Sequence, residues 1–135
     1  MSDWIRSQLP QQPDRDLGSL QLAWLGDAVW ELHQRLKFCK TPGRSQDLHQ
    51  AVVSLVRADA QATALEKLEP FLTDQERDYV RRGRNRAGRG PKRADAGVYG
   101  RATGFETMIG WLFLQNPARL AQLLDRLEET DTVLS

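Results

Sequence analysis

From Leu22 to Leu127 apolar residues recur at intervals of three and four, and nowhere do they alternate with polar ones over a useful length. That period marks one face of a helix rather than a half-buried strand, so the chain is expected to be all-α, with five or six helices. Leu22, Leu25, Val29, Leu32 and Leu36 predict a first helix, capped at Asp16 or Ser19 and running to about Phe38. Leu48, Val52, Leu55, Val56, Ala60, Ala64 and Leu68 predict one long helix, from a Ser45 or Asp47 cap to just before Pro70. Thr73 and Glu76 form a capping box for the next helix, whose end Gly83 weakens. The stretch from Arg84 to Lys92 contains Gly88, Gly90 and Pro91 and reads as a flexible loop. A further helix covers about Asp95 to Leu114, and Asn116-Pro117 opens the last one. Residues 1–16, with Pro10 and Pro13 among glutamines, read as an irregular arm.

At 135 residues this is one domain, 1–135, large enough to bury a core. A net charge of +1 names no partner, but the distribution does more. Arg81, Arg82, Arg84, Arg86, Arg89, Lys92 and Arg93 follow one another with no acid between Asp78 and Asp95. The single cysteine, Cys39, excludes an intrachain disulfide and fits a reducing compartment. No apolar run reaches membrane-spanning length, and the N-terminus lacks the pattern of a signal or transit peptide. A cytoplasmic protein with no membrane partner is the expectation. His33 and His49 are the only histidines, so a zinc site of the usual spacing is absent.

Two acids stand out against this pattern. Asp27 lies in Leu22-Ala-Trp-Leu-Gly-Asp-Ala-Val-Trp30, and Glu106 in Ala102-Thr-Gly-Phe-Glu-Thr-Met-Ile-Gly-Trp-Leu-Phe-Leu114. Desolvating an unpaired carboxylate is costly, and a bound cation or a fixed base would relieve the cost. Gly26, Gly104 and Gly110 each cost about 1 kcal/mol relative to alanine inside a helix. Close helix–helix approach is their expected compensation, and it could bring Asp27 and Glu106 to one point. Two carboxylates, with waters completing the shell, suit Mg²⁺. The plainer alternative is that each acid marks a solvent edge or pairs with a nearby base, Arg101 for Glu106 or Arg35 for Glu31. Both readings stand on periodicity alone.

The run Trp24-Leu-Gly-Asp-Ala-Val29 resembles the signature helix of ribonuclease III, and Phe105-Glu-Thr-Met-Ile-Gly110 resembles that family's second acidic motif. The order and spacing fit, and the resemblance spans about Leu20 to Leu127. The departures are informative. The family's two further glutamates on the first helix correspond to Leu20 and Ala23, and its additional aspartate in the second motif to Thr103. No double-stranded-RNA-binding domain follows within the 135 residues. This combination is similar to mini-ribonuclease III, the short branch with a catalytic domain only. Asp47-Leu-His49, Arg57-Ala-Asp-Ala-Gln-Ala62 and Arg81-Arg-Gly-Arg-Asn85 also look like that branch.

The resemblance implies a ribonuclease III-type helical bundle and a Mg²⁺-dependent endoribonuclease acting on double-stranded RNA. It implies a homodimer with one centre per protomer, products with 5′-phosphate and 3′-hydroxyl ends, and large-subunit (23S) precursor ribosomal RNA as substrate. Asp27 and Glu106 become the expected catalytic residues and metal ligands; a two-metal site held wholly by protein is doubtful without acids at Leu20, Ala23 and Thr103. Beside such a centre, Arg82, Arg84, Asn85, Arg86, Lys92 and Arg93 become the expected RNA contacts, since arginine binds phosphate in a bidentate way. Trp24 matches the aromatic at the family's two-fold contact and becomes a candidate dimer-interface residue. Glu31 is read as an i,i+4 partner of Arg35, and Trp30, Trp111 and Phe113 as core or dimer-facing. The alternatives are a non-catalytic, ribosome-associated RNA-binding module on the same fold, which should have lost Asp27 or Glu106, and a purely structural scaffold.

Overall fold

The computed structural model describes residues 4–8, 17–40, 42–92 and 95–134. It contains six α-helices in chain order, α1 (Ser19–Cys39), α2 (Ser45–Val56), α3 (Ala58–Leu68), α4 (Asp74–Ala87), α5 (Ala96–Gln115) and α6 (Pro117–Leu134), and no strand among the described residues. The all-α expectation holds. Within the arm a short 3-10 turn, Arg6–Gln8, is seen. Arg6 donates from Nε to the Phe113 carbonyl and from Nη2 to the Leu114 carbonyl, each at 2.6 Å. The turn thereby closes the C-terminal end of α5, whose last carbonyls have no partner within the helix.

Helix α5 is the axis of the molecule, with α1, α3 and α4 packed around it. It is buried along most of its length: Gly104 lets α4 approach and Gly110 lets α1 approach, while Phe105, Met108, Ile109 and Leu112 fill the space between the helices. Trp30 meets Phe105 edge-on at 5.1 Å, and Leu65, Leu68 and Leu123 complete the most deeply buried layer. Trp30 is thus core, while Trp111 is half-buried and stacks on Tyr79 at 4.2 Å.

Four sequence expectations need correction. The cap of α1 is Gly18, neither Asp16 nor Ser19: the Gln21 carboxamide oxygen accepts from the Gly18 amide at 3.1 Å. Asp16 lies outside the described residues. The cap of α2 is Arg44, neither Ser45 nor Asp47, and its side chain makes no cap bond. The long second helix is two helices, broken at Arg57, whose backbone is extended (φ −69°, ψ 156°). The break lets α2 lie on α1 while α3 lays its inward face, Gln61, Ala62, Ala64, Leu65 and Leu68, against α5; one straight helix could not follow both. Finally, α4 continues through Arg84, Asn85, Arg86 and Ala87, and Gly83 does not end it. The helix ends instead at Gly88, whose φ of +66° lies in the left-handed region. The capping boxes and caps read at Thr73–Glu76 and Asn116 are present: Glu76 N donates to Thr73 Oγ1 and Thr73 N to Glu76 Oε1, at 3.1 and 2.8 Å, and Arg119 N to Asn116 Oδ1 at 3.1 Å.

Candidate active site

At the crossing of α1 and α5 the two main chains touch. A Cβ added to Gly26 would collide with the Glu106 carbonyl, and one added to Gly110 would collide with the Leu22 carbonyl. The two glycines therefore permit an approach that no larger residue allows. Asp27, next to Gly26, is exposed on α1, and Glu106 is partly buried on α5. Their carboxyl groups lie within hydrogen-bonding contact of each other. The structure thus brings together the two acids singled out in the sequence, by the helix approach their glycines imply.

Burial, then the hydrogen bond and like charge of Asp27, push the Glu106 carboxyl up to about 8 from its ordinary 4.5. A donor works in the opposite direction: Gln61 Nε2, from α3, lies 3.3 Å from Glu106 Oε2. Two carboxyls this close share a proton near neutrality or share a cation. Among the described residues no basic side chain is paired with either acid. Arg35 lies 3.5 Å from Glu31, as the i,i+4 spacing suggests, and the polar contacts described for Glu106 are Asp27 and Gln61.

A hard divalent cation fits this donor set. Two mutually repelling carboxylates, one of them otherwise protonated, gain from a positive ion between them, and no third acid, histidine or cysteine joins them among the described residues. Such a site leaves most coordination positions to water or substrate oxygens, the arrangement Mg²⁺ favours. The positions where acids were looked for contribute none. Leu20 is exposed, Ala23 is buried, and Thr103 is buried with its hydroxyl donated to the Tyr99 carbonyl at 3.0 Å.

Gln61 was not singled out as a site residue from the sequence, though it lies in the Arg57–Ala62 stretch. The legible signal was a carboxamide on a helix face otherwise made of Ala62, Ala64, Leu65 and Leu68.

The basic segment stands on the neighbouring side of α5. A Cβ on Gly83 would collide with Thr107, and one on Gly104 would lie 2.9 Å from Arg84 Cγ. The last turns of α4 are therefore pressed onto α5 beside Glu106. Arg81, Arg84, Asn85 and Gly88 face Ala96, Gly97 and Gly100 across a cleft of about 320 Å³. Here the N-terminal turn of α5 adds its dipole, which favours an anion. The expected RNA contacts divide. Arg84, Asn85, Arg86 and Lys92 are exposed, Arg84 to Arg86 on a helix rather than the expected loop. Arg82 is also exposed but engaged, with Nε 2.8 Å from Asp78 Oδ2 and its guanidinium 4.8 Å over the Tyr79 ring. Arg93 lies outside the described residues.

Trp24 is 81% exposed on α1. With Leu20, Ala28, Leu32 and Leu36 it forms a stripe at four-residue intervals, all exposed, beside Asp27. Leu32 and Leu36, expected on the inward face, belong to this outer one. No helix among the described residues is long and apolar enough to cross a membrane.

The chain is similar to known proteins over most of its length. A family profile described as the ribonuclease III domain matches residues 20–117. A Mini-ribonuclease 3 of a Synechococcus species is 47% identical, over 87% of this chain and 85% of that one. That of Thermosynechococcus vestitus is 44% identical, over 89% and 80%, and that of Symbiobacterium thermophilum 46%, over 80% and 85%. The crystal structure of a Fusobacterium nucleatum protein shares the fold, with a TM-score of 0.78 at 24% identity, covering 93% of this chain and all of that one.

Proposed function

The chain belongs to the ribonuclease III family, in its Mini-ribonuclease 3 branch, and is an endoribonuclease of that kind; on that footing we propose that it hydrolyses double-stranded RNA at a Mg²⁺ site held by Asp27 and Glu106. The observation that carries the reading is the contact between these two carboxyls at a glycine-lined helix crossing. When bound, Mg²⁺ supplies Lewis acidity, making water a better nucleophile at neutral pH and offsetting charge on the phosphate. The chain's own residues do the rest. Asp27, being exposed, would be the principal ligand, and Glu106, in its ionised form, would be the second. Water attacks the phosphorus, the P–O3′ bond breaks, and the products carry 5′-phosphate and 3′-hydroxyl ends.

Arg84, Asn85, Arg86 and Lys92, with Arg93 beyond the described residues, contact the phosphates of the duplex, and Arg82 does so once released from Asp78. A-form RNA is read by shape, phosphates and 2′-hydroxyls, so base specificity is low. The exposed Trp24 stripe is the face of a homodimer with one centre per protomer, the number that cutting both strands of a duplex requires. The whole forms a single catalytic domain acting in the cytoplasm on the precursor of 23S ribosomal RNA, at both its 5′ and 3′ ends.

The test is cleavage of an end-labelled RNA duplex with and without Mg²⁺, by wild type and Asp27→Asn. Cutting by wild type alone, and only with the cation, supports the proposal. Binding without cutting by wild type defeats it in favour of a non-catalytic RNA-binding module. Mapping of ribosomal RNA ends in cells lacking the protein tests the substrate.

A further inference from the structure

Gln61 is 2% exposed, on the face of α3 that is otherwise apolar. A buried carboxamide costs a few kcal/mol unless its polar atoms find partners. A leucine or methionine would fill the same space at no such cost. What the amide gains here is Glu106, at 3.3 Å. The choice of donor matters. An arginine or lysine at this position would neutralise the carboxylate and compete with a cation for it. A neutral amide can hold one carboxylate oxygen while leaving the charge intact. The extended backbone at Arg57 starts α3 afresh, and its first turns carry Gln61 to α5.

We infer that Gln61 is a positioning residue, whose amide fixes the Glu106 carboxylate so that it and Asp27 face one divalent cation together. This rests on the cation site proposed above. Partners that orient metal ligands in this way typically change metal affinity about 10- to 100-fold when removed.

The experiment is Mn²⁺ binding to the full chain without RNA, followed by electron paramagnetic resonance, for wild type and Gln61→Met. The variant keeps the volume and removes the donor. The inference expects an unchanged helical spectrum, Mn²⁺ bound about tenfold more weakly or worse, and a matching rise in the Mg²⁺ needed for half-maximal cleavage, with kcat recovered at saturating Mg²⁺. Wild-type affinity in Gln61→Met overturns the inference and leaves the cation site standing. A wild-type protein that binds no Mn²⁺ overturns the cation site and the inference with it. Gln61→Leu serves as a second variant of similar bulk. Failure of both to fold makes the residue's role structural, which also overturns the inference.

Discussion

The main-chain carbonyl of Glu106 fills the space in which a side chain on Gly26 would begin. The position of one acid is therefore set by the absence of a side chain beside the other. The Asp27–Glu106 contact is a property of two backbones meeting, with Gly110 against Leu22 making the same approach one turn further along.

Gly26→Ala should part the helices. Alanine gains about 1 kcal/mol in intrinsic helix preference, but the clash is with backbone, which cannot rotate aside, and overpacking typically costs about 1–3 kcal/mol. The expected result is a lower melting temperature together with a loss of cleavage larger than the lost folded fraction explains. A variant with wild-type stability and activity would contradict the contact.

Glu106→Gln should separate stability from activity. A carboxyl raised to about 8 in the fold from 4.5 binds a proton that the unfolded chain has released. Without divalent cation, its contribution is fully present below about pH 4.5, declines as pH rises, and is gone above about 8. The glutamine variant should lack this decline, and at pH 9 it should be at least as stable as wild type by urea titration. Its cleavage rate, like that of Asp27→Asn, should fall by about 100-fold or more, the scale of losing charge stabilisation at a reacting phosphate.

The Glu76–Arg119 pair should act on stability in the opposite pH range. Burial opposes ionisation of Glu76, but hydrogen bonds from Arg119, at 2.8 and 3.0 Å, and from Thr73 outweigh it and hold its carboxyl below the usual range. This support is present above the unfolded value of 4.5 and is lost as pH falls through the lower folded one. Arg119→Ala leaves a buried carboxylate without its cation and should cost about 3 kcal/mol in denaturant unfolding at pH 7, with much less lost in strong acid.

Asp78 should restrain the grip on RNA. It pairs with both Arg81 and Arg82, and so occupies two guanidiniums that a phosphate would otherwise take. Asp78→Asn should tighten duplex binding several-fold and steepen its salt dependence. Arg84→Ala should weaken binding regardless of sequence and lower the salt slope by about one. Fluorescence anisotropy across a salt series measures both.

Trp24→Asp should yield a helical monomer by analytical ultracentrifugation, with the wild type dimeric. A central tryptophan at an interface commonly carries about 2 kcal/mol or more. A wild type that sediments as a monomer at high micromolar concentration would remove the dimer face from the reading.

The helices and the acid pair were legible because each rests on local pattern. Apolar spacing gave the helices, although on α1 it grouped the outward-facing Leu32 and Leu36 with the buried side, and Gly26 and Gly110 declared the close approach. Thr73 and Asn116 declared their caps through bonding partners three residues away. The break at Arg57 carried no such mark: arginine is a tolerable helix residue, and only the different helices that α2 and α3 must cover require an extended backbone there. Gly83 misled for a related reason, since a glycine that ends a helix and one that receives a neighbour (here Thr107 and Gly104) look alike in one dimension. Gln61 stayed hidden because its importance lies in a partner 45 residues away.

The hinge at Arg57 also bears on how the molecule opens. Val52 is the one fully buried side chain described in α2, which rests on α1, whereas α3 is locked into the core by Leu65 and Leu68. Free energies of local opening follow buried apolar contact. Amide protons of α2 should therefore exchange well before those of α3, α5 and the first turns of α1. The least protected helix is joined to the best protected layer through one extended residue, so fraying of α2 can proceed without loosening the carboxylates.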